Sequence, residues 1–129
     1  MTVALYSNVI RDRFRRPRYR GTLERPDVSG EDVNPLCGDR VRIQANLADG
    51  RLVEGRWTGD CCAISAASAD VLLEMATGQP ASTVRALTIE SILERLDSDI
   101  RPSRMKCVAL PLTVLQGALT IEGPHESGR

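Results

Sequence analysis

The residues in this chain that can do chemistry are its thiols and one carboxylate beside them. Asn34-Pro35-Leu36-Cys37-Gly38-Asp39 puts Cys37 and Asp39 two residues apart, within a turn signalled by Pro and Gly. In extended backbone, positions i and i+2 face the same side, so a thiol and a carboxylate can converge on one point. Gly38 between them lets the chain bend. Such a pair is half of a four-ligand metal site. Cys61, Cys62 and Cys107 are the other thiols. Three thiols on separate segments plus Asp39 make a tetrahedral set for zinc or for iron–sulfur ligation. The competing reading is that free cysteines pack as small hydrophobes. No CxxC pair is present, and the spacing alone leaves both readings open.

Other chemistries are poorly supplied. The single histidine, His125, falls in a polar tail and is not expected to be a ligand. His-based acid–base catalysis is therefore not expected of this chain alone. There is no P-loop, dinucleotide fingerprint, Ser/His/Asp arrangement or internal repeat. Seventeen basic and seventeen acidic residues cancel, so nucleic-acid or membrane binding has no general electrostatic support. No apolar run approaches the roughly 20 residues of a membrane span. Met1 to Ile10 has neither the basic region nor the apolar core of a secretory signal, so a cytoplasmic protein with reduced thiols is expected.

The positioning elements follow from pattern. At 129 residues the chain can form one domain with its own core, here aliphatic because aromatics are scarce. Val3, Tyr6, Ile10 and Phe14, with Leu5 and Val9, give an amphipathic helix from Val3 to about Phe14, ended by Pro17. Arg11, Arg13, Arg15, Arg16, Arg18 and Arg20 cluster there, either as a solvated face or as a docking surface for an acidic partner. Residues 21–36 read as loop. Val41, Ile43, Ala45 and Leu47 alternate with polar residues, marking a half-buried strand. Asp49-Gly50 turns it. A three-residue loop including Arg51 is expected, because it pairs Leu47 with Val53 and Ile43 with Trp57 on one apolar face.

The return strand leads into Cys61 and Cys62 at the start of a helix ending near Thr77, with Ile64, Ala67, Val71 and Met75 on its inner face and Gly78 as its stop. A helix N-terminus favours thiolate over thiol. Ile89, Ile92, Leu93 and Leu96 mark a shorter helix. A last helix starts near Ser103 or Arg104 and carries Val108, Leu112, Leu115 and Leu119. Pro111 inside it removes a hydrogen bond and frees the Cys107 carbonyl, or else delays the helix start. A single α+β domain is expected over residues 1–122: a small antiparallel sheet packed against several helices, with a disordered tail over 123–129.

Three ordered motifs carry a family resemblance. Asn34 to Asp39 matches NPxCGD. Cys62-Ala63-Ile64-Ser65, followed by Ala67-Ser68, matches a second cysteine motif, and Arg104-Met105-Lys106-Cys107 a third. Leu5-Tyr6, Val9-Ile10 and Arg16-Pro17-Arg18 through Gly21 extend the match towards the N-terminus. The chain resembles the IscU/NifU/SufU family of iron–sulfur cluster assembly proteins, and the RxKC form of the third motif is SufU-like. The resemblance implies a SufE/NifU-like fold, with Cys37, Asp39, Cys62 and Cys107 as ligands of zinc or of a transient [2Fe-2S] cluster. It implies a cysteine desulfurase as sulfur donor, Cys37 as candidate persulfide acceptor on a Gly-flanked loop, and downstream iron–sulfur acceptor proteins. The departures are specific. Lys106 replaces the histidine of scaffold members, their LPPVK stretch is replaced by Ile100-Arg101-Pro102-Ser103-Arg104, and the usual SufU insertion between Cys62 and Cys107 is missing. Cys61 stands where glycine is usual. The alternative is a non-catalytic protein in which zinc only stabilises the fold.

Overall fold

The computed structural model describes residues 7–120 and, as backbone alone, the helix onward to Gly128. In order, the elements are α1 (Asn8–Arg15), β1 (Val28–Val33), β2 (Arg40–Ala48), β3 (Arg51–Asp60), α2 (Ala63–Ala76), α3 (Ala81–Arg85) and α4 (Ile89–Leu96). A 3-10 turn at Pro102–Arg104 then leads into α5 (Met105–Gly128). The strands form an antiparallel meander in the order β1-β2-β3. α5 packs on β1 and β2, and α2 packs on β3 and against α1, α4 and α5. This is the α+β architecture expected from the sequence. The expected start of the first helix at Val3 to Tyr6 lies outside the described residues. The stretch expected as a disordered tail from residue 123, His125 included, continues α5 as helical backbone to Gly128.

β2 buries Val41, Ile43 and Ala45, and β3 buries Leu52 and Trp57. The expected Ile43–Trp57 pair is present, but Leu47 pairs with Leu52 rather than Val53. The turn has two residues, not three: Ala48 pairs with Arg51, and Asp49 and Gly50 both take positive φ (54° and 77°). A β-bulge beside Asn46 and Leu47 resets the register, because Asn46 pairs with Glu54. Val53 is the extra residue and is half exposed. A bulge thus resolves the conflict between the preferred Asp-Gly turn and the buried face.

β1 lies inside the segment expected to be loop. Only Val28 of its six residues is buried, so it offers no apolar alternation to read. Its order comes from backbone pairing with β2, Val28 opposite Ala45 through Val33 opposite Arg40. Gly30 lets α5 close over it: a Cβ there would sit 3.0 Å from the Val114 carbonyl oxygen.

α1 departs from its expected stripe. Ile10 is buried, but Phe14 is 48 % exposed and Arg13 turns inward. Arg13 Nη1 lies 2.9 Å from Asp70 Oδ2, and Nη2 bonds Glu74. Asp70, fully buried, also accepts from the backbone N–H groups of Arg18 and Tyr19 and from Trp57 Nε1. One carboxylate therefore ties α1, the chain after it and β3 to α2. Burial works against the Arg13 charge, but the Glu74 and Asp70 contacts outweigh it and raise its pKa. At least this member of the arginine cluster is a core residue.

α2 is buried on nearly every side from Ile64 to Leu73, wider than the expected single face, as befits a helix wrapped by other elements. α5 runs through Pro111 without a break, and Val108, Leu112, Leu115 and Leu119 are buried as their spacing requires.

Candidate metal centre

The loop joining β1 to β2 closes on itself. Asn34 N–H donates to the Asp39 carbonyl at 2.8 Å, while the Asn34 carbonyl accepts from Gly38 N–H at 2.7 Å and from Cys37 N–H at 3.3 Å. The Asn34 side chain accepts from Leu36 N–H at 3.1 Å. Gly38 takes φ +79°, a conformation that suits glycine. The outcome is an exposed Cys37 two residues from a buried Asp39.

The second segment is the β3–α2 junction. Cys62 is the N-cap of α2, and its sulfur accepts from Ser65 N–H at 3.4 Å. Asp39 Oδ1 accepts from Cys62 N–H at 3.1 Å, and Asp39 Oδ2 accepts from the Ser65 hydroxyl at 2.9 Å. The carboxylate thus docks on the helix start, where backbone donors and the helix dipole favour negative charge. Burial alone raises the Asp39 pKa. Hydrogen bonds from Ser65, Cys62 and Cys37 outweigh it and hold the group below its ordinary value.

Cys107 lies in the first turn of α5, buried. Arg104, one turn earlier, points Nε at its sulfur at 3.5 Å. Hydrogen bonds to Cys107 and then to Cys62 raise the Arg104 pKa above its ordinary value. Burial pushes the Cys107 thiol up, and Arg104 pulls against it.

These segments bring Cys37, Asp39 and Cys107 together: their ligand atoms all lie within 4.8 Å of one another. Cys62 falls outside that three-donor group, its sulfur turned to the α2 cap. It still acts on its neighbours, helping to raise the pKa values of both the Cys107 thiol and Arg104. Cys61 behaves otherwise. Burial, Asp39 and Cys62 push its thiol up to about 12, so the thiolate expected near this helix start does not extend to Cys61. Two thiols and a carboxylate around one point fit an ion that binds sulfur at about 2.3 Å and oxygen at about 2.0–2.2 Å. Soft sulfur with one harder oxygen suits zinc and iron–sulfur centres rather than magnesium or calcium.

A family model described as the NifU-like N-terminal domain matches residues 5–121. The chain belongs to that family. This NifU-like domain is 33% identical to the zinc-dependent sulfurtransferase SufU of Bacillus subtilis, over 92% of the chain and 91% of that protein. It is 31% identical to the iron–sulfur cluster assembly scaffold protein IscU of Thermotoga maritima, over 89% and 92%. Among solved structures, it is similar to a putative iron–sulfur cluster assembly scaffold protein for the SUF system from Fervidobacterium islandicum. That match has TM-score 0.74 and 27% identity over 89% of this chain and 96% of the other.

Two residues of the NifU-like domain's site were present in the motifs without an evident role. Ser65 closes the second cysteine motif and proves to be the buried donor to Asp39. Arg104 opens the third motif and reaches sulfur, whereas Lys106, the residue that the sequence brings to notice, is exposed. An i to i+3 spacing on a helix puts Arg104 beside Cys107, which is the signal that could have found it.

Proposed function

We propose that this chain is an iron–sulfur cluster assembly protein of SufU-like type. Cys37, Asp39, Cys62 and Cys107 hold zinc, and Cys37 accepts persulfide sulfur from a cysteine desulfurase. The observation that carries the reading is the convergence of an exposed thiol with a buried thiol and a buried carboxylate from separate segments. Similarity to a zinc-dependent sulfurtransferase over most of both chains supports it. Cys62 supplies the fourth ligand by turning its sulfur from the helix cap, where it meets Ser65, towards Cys107, whose thiol it already helps push up. Bound zinc would keep the thiols as thiolates near neutral pH.

The chain's own residues divide the work. Asp39 and Cys107, both buried, hold the inner side of the site. Cys37 faces solvent beside Leu36, which is 76 % exposed and gives a partner an apolar contact next to the acceptor sulfur. In the transfer, the Cys37 thiolate attacks the outer sulfur of the desulfurase persulfide. A new S–S bond forms at Cys37, the old S–S bond breaks, and its electron pair leaves with the desulfurase thiolate. Cys37 then carries the sulfur to downstream iron–sulfur acceptor proteins.

A transient [2Fe-2S] cluster in the same ligands is the scaffold version, supported by the similarity to IscU scaffolds. It predicts colour on anaerobic reconstitution with iron and sulfide. The remaining alternative, zinc as a purely structural ion, draws on the burial of Asp39 and Cys107 but gives the exposed Cys37 no task. Desulfurase turnover measured with and without the zinc-loaded chain separates these readings: only a sulfur acceptor raises it.

A further inference from the structure

The Ser65 hydroxyl is fully buried and has two acceptors, Asp39 Oδ2 at 2.9 Å and the Cys107 carbonyl oxygen at 3.1 Å. A hydroxyl carries one hydrogen, so it serves one acceptor at a time. In an unbroken helix, the Cys107 carbonyl would accept from the N–H four residues on. That residue is Pro111, which has none. The proline therefore creates the competing acceptor. Asp39 Oδ1 is held independently by Cys62 N–H at 3.1 Å. Whether Ser65 adds to that hold on Asp39 depends on where its hydrogen points.

We propose that Ser65 and Pro111 form a positioning pair that makes Asp39 the releasable ligand of a thiophilic divalent cation. With its hydrogen on Asp39, Ser65 fixes the carboxylate towards the thiols. With its hydrogen on the Cys107 carbonyl, Ser65 no longer secures Asp39, which can then swing off the ion. Hydrogen bonds to a ligating carboxylate normally secure it; here one of them has an alternative built into α5. The inference rests on the reading that Cys37, Asp39 and Cys107 bind a metal.

The test compares the full chain with Ser65→Ala, Pro111→Ala and the double variant, each loaded with zinc and mixed with excess chromophoric chelator. Pro111→Ala supplies an N–H for the Cys107 carbonyl and removes a helix-breaking residue, so folding is not at risk. Its zinc should leave about tenfold more slowly, because the Ser65 hydrogen stays on Asp39. Ser65→Ala should release zinc about 10–100-fold faster, and the double variant should match Ser65→Ala. Cobalt-loaded Pro111→Ala should keep the visible bands of a tetrahedral site. Release from Pro111→Ala at the parent rate overturns the proposal. So does an equal slowing with and without Ser65, which would mark a purely structural effect of the proline. If the parent chain takes up neither zinc nor cobalt, the metal-site reading fails and the pair falls with it.

Discussion

The Arg104 guanidinium lies 3.5 Å from the Cys107 sulfur, one helical turn before it, and Cys62 as well as Cys107 raises its pKa. A fixed cation therefore borders two of the three thiols of the family motifs. Burial raises the Cys107 thiol and Arg104 opposes that rise. Metal uptake requires thiolate, so removing the cation makes loading more demanding of alkaline pH. Arg104→Ala should move the midpoint of zinc uptake against pH upward, and Arg104→Lys should recover part of the shift. An unchanged midpoint would mean that the guanidinium has no electrostatic hold on the ligands.

Asp39 gives a stability prediction for the metal-free chain. Its native pKa lies below the ordinary carboxylate value. A depressed native pKa contributes stability that is fully present above the unfolded value, about 3.9. That contribution is lost as pH falls through the lower native value. Asp39→Ala also strands the Cys62 N–H, a donor to it, while the Ser65 hydroxyl keeps the Cys107 carbonyl as acceptor. The expected cost near neutral pH is about 1–3 kcal/mol, the usual penalty for an unsatisfied buried polar group. Urea unfolding of both proteins from pH 7 down to pH 2 should show the gap narrowing in acid.

Cys61 should be chemically quiet. Burial, reinforced by Asp39 and Cys62, pushes its thiol up to about 12, so it remains protonated at neutral pH. Peptide mapping after limited alkylation of the metal-free chain should find exposed Cys37 modified well before Cys61. Cys61→Ala should leave zinc content and desulfurase stimulation as they are in the parent. Loss of either would make Cys61 a participant.

The α1–α2 tie is a stability element. Arg13→Ala leaves the fully buried Asp70 without its charged partner. Breaking such a pair typically costs about 3–5 kcal/mol. The Trp57 and backbone donors that remain on Asp70 place the expected loss at the low end, about 3 kcal/mol, read from urea midpoints.

Legibility in the sequence followed the strength of the local signal. The β2–β3 hairpin, α4 and the inner face of α5 announced themselves by apolar period, and the Cys37–Asp39 loop by its turn residues. β1 did not, because a strand with one buried residue is ordered by its neighbour's backbone rather than by its own pattern. The register of β3 required a bulge, which no alternation rule supplies. Arg13 looked like a solvated charge because its partners, Asp70 and Glu74, lie far along the chain. The freed Cys107 carbonyl could be read directly from Pro111. That Ser65 would be the group to meet it depends on the packing of α2 against α5.

The central claim is that Cys37 accepts sulfur, and mass spectrometry of intact and digested protein tests it most directly. The zinc-loaded chain is incubated with a cysteine desulfurase and cysteine, without reductant. One additional sulfur on the Cys37 peptide, together with raised desulfurase turnover and the loss of both in Cys37→Ala, is the predicted result. Unchanged turnover, with no persulfide on Cys37 although the chain holds zinc, would contradict it.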